Sequence, residues 1–141
     1  MKIETTFDPL EQDRQLLKER FRQYELSVFP DLPSEDEDQL VAAYLRRDDG
    51  TICGGVEANI YWDGVEIELL WVSEDMRGAG LGSQLMHEVE VQARERGAAI
   101  AFLKTVDARK FYESVGYEVF GILEDRPIGT KLFHMKKRLT S

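Results

Sequence analysis

The chain is poor in the residues that build metal sites and disulfide frameworks. Its 141 residues include one cysteine and two histidines. A single cysteine excludes an intrachain disulfide and a cysteine-rich zinc site, and two histidines leave little for a metal site of any kind. No apolar run approaches the roughly 18 residues of a membrane-spanning helix, so we expect no membrane partner.

Positive charge is scarce relative to negative charge. The chain has 18 lysines and arginines against 27 aspartates and glutamates, which gives a formal net charge of −9 at pH 7. A general nucleic-acid or anionic-membrane binder needs a basic surface, so we expect no nucleic-acid partner either. The first residues lack the apolar core of a signal peptide, and we therefore expect a cytoplasmic protein.

The remaining composition is that of one ordinary globular domain, expected over residues 1–141. Apolar periodicity and turn signals predict an α+β protein with the element order β-α-β-β-β-α-β-α-β-β. The predicted strands are 2–7, 39–47, 51–62, 65–72, 98–103, 117–123 and 131–138. The predicted helices are 81–96, 108–115 and a first helix that is capped by Asp8 and ends before Pro30. The strands flanking helix 81–96 form a β-α-β unit and are expected to be parallel, with the rest antiparallel.

The most informative segment joins the strand ending at Val72 to the helix that follows it. Glycines at 78, 80 and 82 let the backbone turn with its N–H groups facing inward, and the helix N-terminus adds positive potential. Arg77 adds a fixed positive charge that can meet phosphate oxygens. The segment therefore predicts a phosphate-binding loop, with a ligand-free glycine turn as the alternative.

Three types of phosphate-binding loop can be compared with this segment. A P-loop needs Gly-Lys-Ser/Thr, but Gly82 is followed by Ser83 and Gln84. A Rossmann fingerprint starting at Gly78 needs its third glycine at position 83, which is serine here. The Rossmann loop also follows the first strand of a parallel set, whereas this loop follows the third strand of an antiparallel meander. The third pattern, Arg-x-x-Gly-x-Gly, is satisfied by Arg77, Gly80 and Gly82.

This third pattern resembles the acetyl-CoA loop of the GCN5-related N-acetyltransferase (GNAT) family. In that family the loop follows a strand that ends in a triplet similar to Leu70-Trp71-Val72. A second family signature, Phe-Tyr-x-x-x-Gly-Tyr/Phe, is matched by residues 111–117. Because the two motifs occur in the family's order and spacing, the chain is identified as a member, similar to small standalone bacterial types that include some antibiotic-modifying ones.

The resemblance implies a GNAT-like mixed, mostly antiparallel central sheet with helices on both faces. It also implies acetyl-CoA as co-substrate and no metal, with the pyrophosphate on the backbone of 77–83 and the pantetheine arm along a strand bulge at 70–72. The residues expected to contact acetyl-CoA are Leu70, Trp71, Val72, Arg77, Gly78, Ala79, Gly80, Leu81, Gly82, Ser83 and Phe111.

The resemblance also suggests the catalytic groups. Tyr112 matches the family tyrosine that protonates the departing thiolate; the alternative is a core tyrosine, although Phe111 is expected to be the more buried of the two. Glu66 and Glu68 lie two apart on one strand face and are the candidate bases that deprotonate the acceptor amine, with a solvated sheet face as the alternative. Asp107 stands where many members have asparagine, and we expect it to cap the next helix.

The implied activity is direct transfer of an acetyl group to a primary amine of a small-molecule acceptor. The alternative is a non-catalytic acetyl-CoA sensor or scaffold, and a homodimer is left open. Five carboxylates favour a cationic acceptor, with a solvated turn as the alternative; they are Asp31, Glu35, Asp36, Glu37 and Asp38. Cys53 is expected to be a core residue, and neither His87 nor His134 is assigned a role.

Overall fold

The computed structural model describes residues 1–140, which divide into two compact units after Pro33. The first unit contains one helix, α1 (Glu11–Val28), which ends before Pro30 as predicted. The strand predicted at 2–7 does not form, because a strand needs a hydrogen-bonded neighbour and no strand within residues 1–140 pairs with this segment. Asp8 is not the cap of α1: its N–H donates to the Thr6 hydroxyl, and Leu10 takes the N-cap position.

The second unit is built on one six-stranded sheet. Its elements in chain order are β1 (Gln39–Arg46), β2 (Ile52–Tyr61), β3 (Gly64–Val72), α2 (Leu81–Glu95), β4 (Ile100–Thr105), α3 (Arg109–Ser114), β5 (Glu118–Glu124) and β6 (Lys131–Arg138). The strand order is β1-β2-β3-β4-β6-β5, with β3 and β4 parallel and every other pair antiparallel. The predicted parallel pair and the mostly antiparallel sheet are confirmed.

The core lies between α2 and one face of the sheet. Leu85, Val89 and Ala93 recur every four residues along α2 and are all buried, as the helical spacing predicts. Cys53 is buried in β2, which confirms it as a core residue. Within residues 1–140, no helix combines the length and the apolar character that crossing a bilayer requires.

The sheet opens between its two parallel strands. Pairing of β3 with β4 stops after Glu66 and Phe102, so the strands separate toward their carboxyl ends. A bulge accompanies this opening, since Ile67 pairs with Ala58 and Leu69 with Glu57, which leaves Glu68 without a partner on β2. The bulge therefore lies at Glu68 and not at 70–72, where β3 pairs regularly with β2.

Candidate active site

The predicted phosphate loop forms the entry to α2. Gly78 and Gly80 have φ angles of +86° and +76°, which lie in the left-handed region that favours glycine, and Gly80 is the N-cap of α2. Within residues 1–140, the N–H groups of residues 78–83 donate to no backbone or side-chain acceptor. The loop therefore presents a row of unused donors together with the positive end of a helix.

Arg77 is anchored at the start of this loop. Its Nε donates to the carbonyl oxygen of Val72 at 2.9 Å, so one edge of the guanidinium is fixed by the end of β3. In the described part of the chain Arg77 takes part in no ion pair, although Arg47, Arg109 and Lys137 do. Its remaining donors are therefore available to an anion beside the loop.

A pocket of about 600 Å³ lies among the end of β3, the glycine loop and α3. Its lining residues are Leu70, Trp71, Val72, Met76, Arg77, Gly78, Gly80, Leu81, Gly82, Ser83, Asp107, Ala108 and Phe111. The structure thus brings together every residue that the sequence suggested for acetyl-CoA except Ala79. Met76, Asp107 and Ala108 were not foreseen; Met76 ends a single 3-10 turn, a position that carries no motif.

The loop and α3 touch at Gly82. A Cβ atom at Gly82 would lie 3.2 Å from Cζ of Phe111, so the aromatic ring packs on the helix where a side chain would otherwise stand. Free amide donors, a cationic side chain and an apolar ring in one concave site fit a ligand that joins a diphosphate to an apolar arm. The residues present therefore fit acetyl-CoA.

Tyr112 lies in the core and not at the surface of α3. It is 8% exposed, and its ring contacts those of Phe111 and Tyr117 at centroid distances of 5.1 and 5.9 Å. The expectation that Phe111 would be the more buried of the pair is wrong, since Phe111 is only partly buried and lines the pocket. The Tyr112 hydroxyl has no hydrogen-bond partner within residues 1–140. Burial, assisted by the charge of Asp107, raises the pKa of Tyr112 above its usual 10.0.

Asp107 does not cap α3 as expected. The N–H of Ala108 donates to the Thr105 hydroxyl at 3.1 Å, and Ala108 takes the N-cap position without a side-chain bond from Asp107. The carboxylate of Asp107 instead belongs to the pocket wall and raises the pKa of Tyr112. Asp107 directly precedes the predicted helix 108–115, where aspartate is a favoured N-cap, but α3 begins one residue later, at Arg109.

The two glutamates lie on the sheet around Tyr61. The Tyr61 hydroxyl donates to Oε1 of Glu66 at 3.1 Å, while Glu68 is exposed at the bulge. Burial first, then the hydrogen bond and charge of Glu66, raise the pKa of Tyr61, and Asp38 and Glu68 add smaller effects. One carboxylate, Glu66, therefore contacts the Tyr61 phenol, and two others act on it electrostatically.

Glu66 and Tyr112 lie on opposite sides of the sheet. Glu66 alternates along β3 with the buried core residues Val65 and Ile67, so it faces away from the core. Tyr112 belongs to the core cluster on the α2 side. The pairing of β3 with β4 ends at Glu66, so the sheet begins to open beside this residue.

Comparison with known proteins agrees with this geometry. A family model described as the acetyltransferase (GNAT) family matches residues 6–117. The chain is 35% identical over 104 residues to blasticidin-S acetyltransferase from Streptomyces morookaense, covering 72% of this chain and 76% of that protein. The crystal structure of an acetyltransferase from Bacillus cereus has a TM-score of 0.82 and 29% identity, covering 96% of this chain and 97% of that one.

A more distant structure shares the fold. A protein described as a streptothricin acetyltransferase from Bacillus anthracis, determined in complex with acetyl coenzyme A, has a TM-score of 0.64 and 19% identity, covering 70% of this chain and 62% of that one. The expected fold class and the resemblance of the two sequence motifs are confirmed by these matches. The chain belongs to the GNAT family of acetyltransferases.

Proposed function

We propose that the protein transfers an acetyl group from acetyl-CoA directly to a primary amine of a small cationic acceptor. The observation that carries the proposal is the pocket whose wall presents the unpartnered N–H groups of residues 78–83 beside Arg77. The family match begins at residue 6 and ends at 117, which supports the view that both units belong to one acetyltransferase domain.

The donor would be held by the eleven residues that the two motifs suggest. The loop amides of 78–83 and the Arg77 guanidinium bind the diphosphate, while Leu70–Val72 and Phe111 contact the apolar arm. When bound, acetyl-CoA supplies an electrophilic carbonyl and a thiolate leaving group. Within the described residues Cys53 is buried in β2 and does not line the pocket, so the proposal uses no acetylated cysteine.

Tyr112 acts as the proton donor. Its hydroxyl has no partner within residues 1–140, and its raised pKa keeps the proton on Oη at neutral pH. Reference pKa values of 10 for a phenol and 8.5 for a thiol make complete proton transfer uphill by about 2 kcal/mol, and the raised pKa adds to that cost. Tyr112 therefore stabilises developing negative charge by a hydrogen bond before it gives up its proton.

Glu66 or Glu68 acts as the base. An alkyl ammonium with a pKa near 10.4 must lose its proton before it can attack, which costs about 4.6 kcal/mol at pH 7. Both carboxylates lie where β3 separates from β4. Glu66 is four residues, and Glu68 two residues, before the pocket-lining Leu70. A carboxylate at this position can accept the proton directly or through one water molecule.

The face of the sheet that carries Glu66, opposite the core, has the charge and the aromatic rings that favour a cationic acceptor. Glu66 accepts a hydrogen bond from Tyr61, and Asp38 and Glu68 act on Tyr61 electrostatically. The Tyr61 ring lies beside those of Phe102 and Trp62, at centroid distances of 6.1 and 5.8 Å. Carboxylates beside aromatic faces favour an ammonium over a neutral or acidic group. A relative named for an antibiotic, blasticidin-S acetyltransferase, supports a small-molecule acceptor for this chain as well.

The first experiment measures turnover. Purified protein is incubated with acetyl-CoA and a panel of mono- and polyamines, and free thiol is followed with a thiol reagent, for the wild type and for Tyr112→Phe. We expect amine-dependent thiol release by the wild type and a kcat lower by roughly 10²–10⁴-fold in the variant. Binding of acetyl-CoA without turnover on any amine would favour the sensor or scaffold alternative instead.

The second experiment tests the charge of the acceptor. The exposed acids of the 3-10 turn that Ser34 caps are neutralised together as Glu35→Gln, Asp36→Asn and Glu37→Gln. A matched control neutralises three exposed acids elsewhere, Glu88, Glu95 and Glu118, and removes the same charge. With a cationic amine, kcat/KM should fall as salt rises, because salt screens the attraction by exposed charges to about 8 Å at physiological ionic strength. Neutralising the first set should make this dependence on salt less steep. Equal salt slopes for both sets would show that the turn is only a solvated surface.

A further inference from the structure

One buried carboxylate has no part in the proposed chemistry. Glu90 lies on α2 and is 3% exposed, although its neighbours along the same face are the apolar Met86 and Ala93. A buried carboxylate is costly unless it is paired, and this one is paired twice. Oε1 accepts from Lys137 Nζ at 2.7 Å, and Oε2 accepts from the Tyr117 hydroxyl at 2.9 Å.

The partners of Glu90 lead directly to the end of α3. Lys137 Nζ also donates to the carbonyl oxygen of Val115 at 2.9 Å, and Val115 is the C-cap of α3. The N–H of Tyr117 donates to the carbonyl oxygen of Tyr112 at 2.9 Å. Glu90, Lys137 and Tyr117, which we call the Glu90 cluster, therefore join α2, β6 and the C-terminal end of α3.

Tyr112 depends on this surrounding structure for its orientation. Its hydroxyl makes no hydrogen bond within residues 1–140, so no polar contact fixes the direction of the O–H group. The ring is instead located by its edge contacts with Phe111 and Tyr117. Tyr117 is held in turn by Glu90, so the position of the Tyr112 ring follows from the position of a buried carboxylate.

We propose that the Glu90 cluster positions Tyr112 for proton donation by fixing the Tyr117 ring and the end of α3 on α2. The proposal rests on the proposed role of Tyr112 as the acid. The same helix, α2, begins at the phosphate loop, so the cluster ties the acid to the element that would hold the donor. Glu90, Lys137 and Tyr117 are positioning residues, and none of them lines the pocket.

The test is a set of double-mutant cycles on kcat. Tyr117→Phe removes only the hydroxyl bonded to Glu90, and Lys137→Met removes both bonds of the ammonium; Lys137→Arg is the conservative replacement. Each variant is made alone and together with Tyr112→Phe. Arg94→Met is the matched control, since Arg94 Nε on α2 donates to the carbonyl oxygen of Leu139 at 2.8 Å but has no bond to α3.

The expected result is a loss of kcat that depends on Tyr112. Tyr117→Phe and Lys137→Met should lower kcat by about tenfold or more, because small misplacements of a catalytic group cost that much. KM for acetyl-CoA should change by less than about twofold, and Lys137→Arg should restore most of kcat. In the Tyr112→Phe background the same substitutions should have almost no further effect, since groups that act as a unit are not additive.

Three results would overturn the proposal. An equal loss of kcat in both backgrounds would mean that the cluster only stabilises the fold, as would an equal loss in Arg94→Met. If Lys137→Met does not fold, Tyr117→Phe decides alone, and unchanged kcat in that variant refutes positioning. Unchanged kcat in Tyr112→Phe itself would refute the proposed acid, which separates that failure from a failure of the cluster.

Discussion

The backbone of the glycine loop can be tested with a pair of identical substitutions. Gly80 and Gly97 lie just beyond the two ends of α2 and have φ angles of +76° and +90°. A Cβ atom at either position meets no atom within 4 Å, so alanine is strained there by its backbone conformation and not by a steric clash. Gly80→Ala and Gly97→Ala therefore carry the same cost but differ in their distance from the pocket, because only Gly80 lines it.

The size of the effect follows from the conformational cost. Holding alanine in the left-handed region costs about 1–2 kcal/mol, so Gly97→Ala should melt roughly 4–8 °C below the wild type, and Gly80→Ala should lose less because its exposed loop can change conformation. In Gly80→Ala the free loop can relieve this strain by turning its N–H groups away from the pocket. Binding of acetyl-CoA must then return the loop to the strained conformation, and this cost weakens the affinity. The dissociation constant for acetyl-CoA should rise by roughly 5- to 30-fold, since 1.4 kcal/mol is a factor of ten.

The assay is a thermal shift with and without acetyl-CoA. At a concentration one hundred times the wild-type dissociation constant, the ligand should stabilise the wild type and Gly97→Ala by about 2.7 kcal/mol. A tenfold weaker site would gain only about 1.4 kcal/mol at that concentration, which is the value expected for Gly80→Ala. Equal ligand-induced shifts in the two glycine variants would refute the assignment of the loop as the diphosphate site.

Three further predictions concern single contacts. Gly82→Ala should displace the Phe111 ring, 3.2 Å from the new Cβ, and weaken acetyl-CoA binding measured by calorimetry, whereas Phe111→Leu in the same chain should recover part of the loss; no recovery would contradict the contact. Burial raises the pKa of Tyr117 well above its usual 10.0, so Tyr117 ionises first in the unfolded state, and the free energy of unfolding falls above pH 10. Denaturation curves from pH 8 to 11 should show a smaller fall in Tyr117→Phe than in the wild type. If Glu66 or Glu68 is the base, the corresponding glutamine variant should alter the rise of kcat/KM with pH, and an unchanged profile in both variants would assign the proton transfer to water alone.

The elements of the second unit were predictable because their limits are local. Gly97 ends α2 and Gly116 follows α3, both with positive φ, and glycine is the residue that such positions favour. Spacing of four between Leu85, Val89 and Ala93 gives the buried face of α2 directly. The backbone of the glycine loop was equally predictable, since its three glycines and Arg77 are close together in the chain, and its phosphate-binding role stays a prediction.

The errors occur where a residue's role depends on distant parts of the chain. Residues 2–7 alternate like a strand but find no partner strand, and the bulge at Glu68 arises from the register of β3 against β2, which no local pattern records. Asp107 follows the rule for a helix cap, but α3 begins one residue later than predicted, with Ala108 as its N-cap, and Asp107 lines the pocket.

The Glu90 cluster is indicated in the sequence by the position of Glu90, although no motif marks it. Glu90 lies four residues after Met86, on the buried face of α2, and a charged residue there requires a buried partner. Its partner Lys137 is 47 residues away in the chain, so the sequence could indicate that a pair exists without identifying it.

The negative charge of the chain should affect binding of the two proposed substrates in opposite directions, because acetyl-CoA is an anion and the acceptor amine a cation. The formal net charge of −9 repels a polyanionic donor at long range, while in the proposed complex neutral amides and Arg77 would bind it at short range. Among the pocket-lining residues only Arg77 and Asp107 are charged, so there is little net ionic attraction for salt to weaken.

Rising salt should therefore leave acetyl-CoA binding unchanged or slightly stronger, as screening removes the long-range repulsion. It should lower kcat/KM for a cationic acceptor at saturating donor, because Asp38 and Glu68 are exposed to solvent and Glu66 is only half-buried. Calorimetry of acetyl-CoA binding and steady-state rates between about 0.05 and 0.5 M salt test both slopes, and a steep loss of acetyl-CoA affinity would show that ion pairs, and not the amides of residues 78–83, hold the donor.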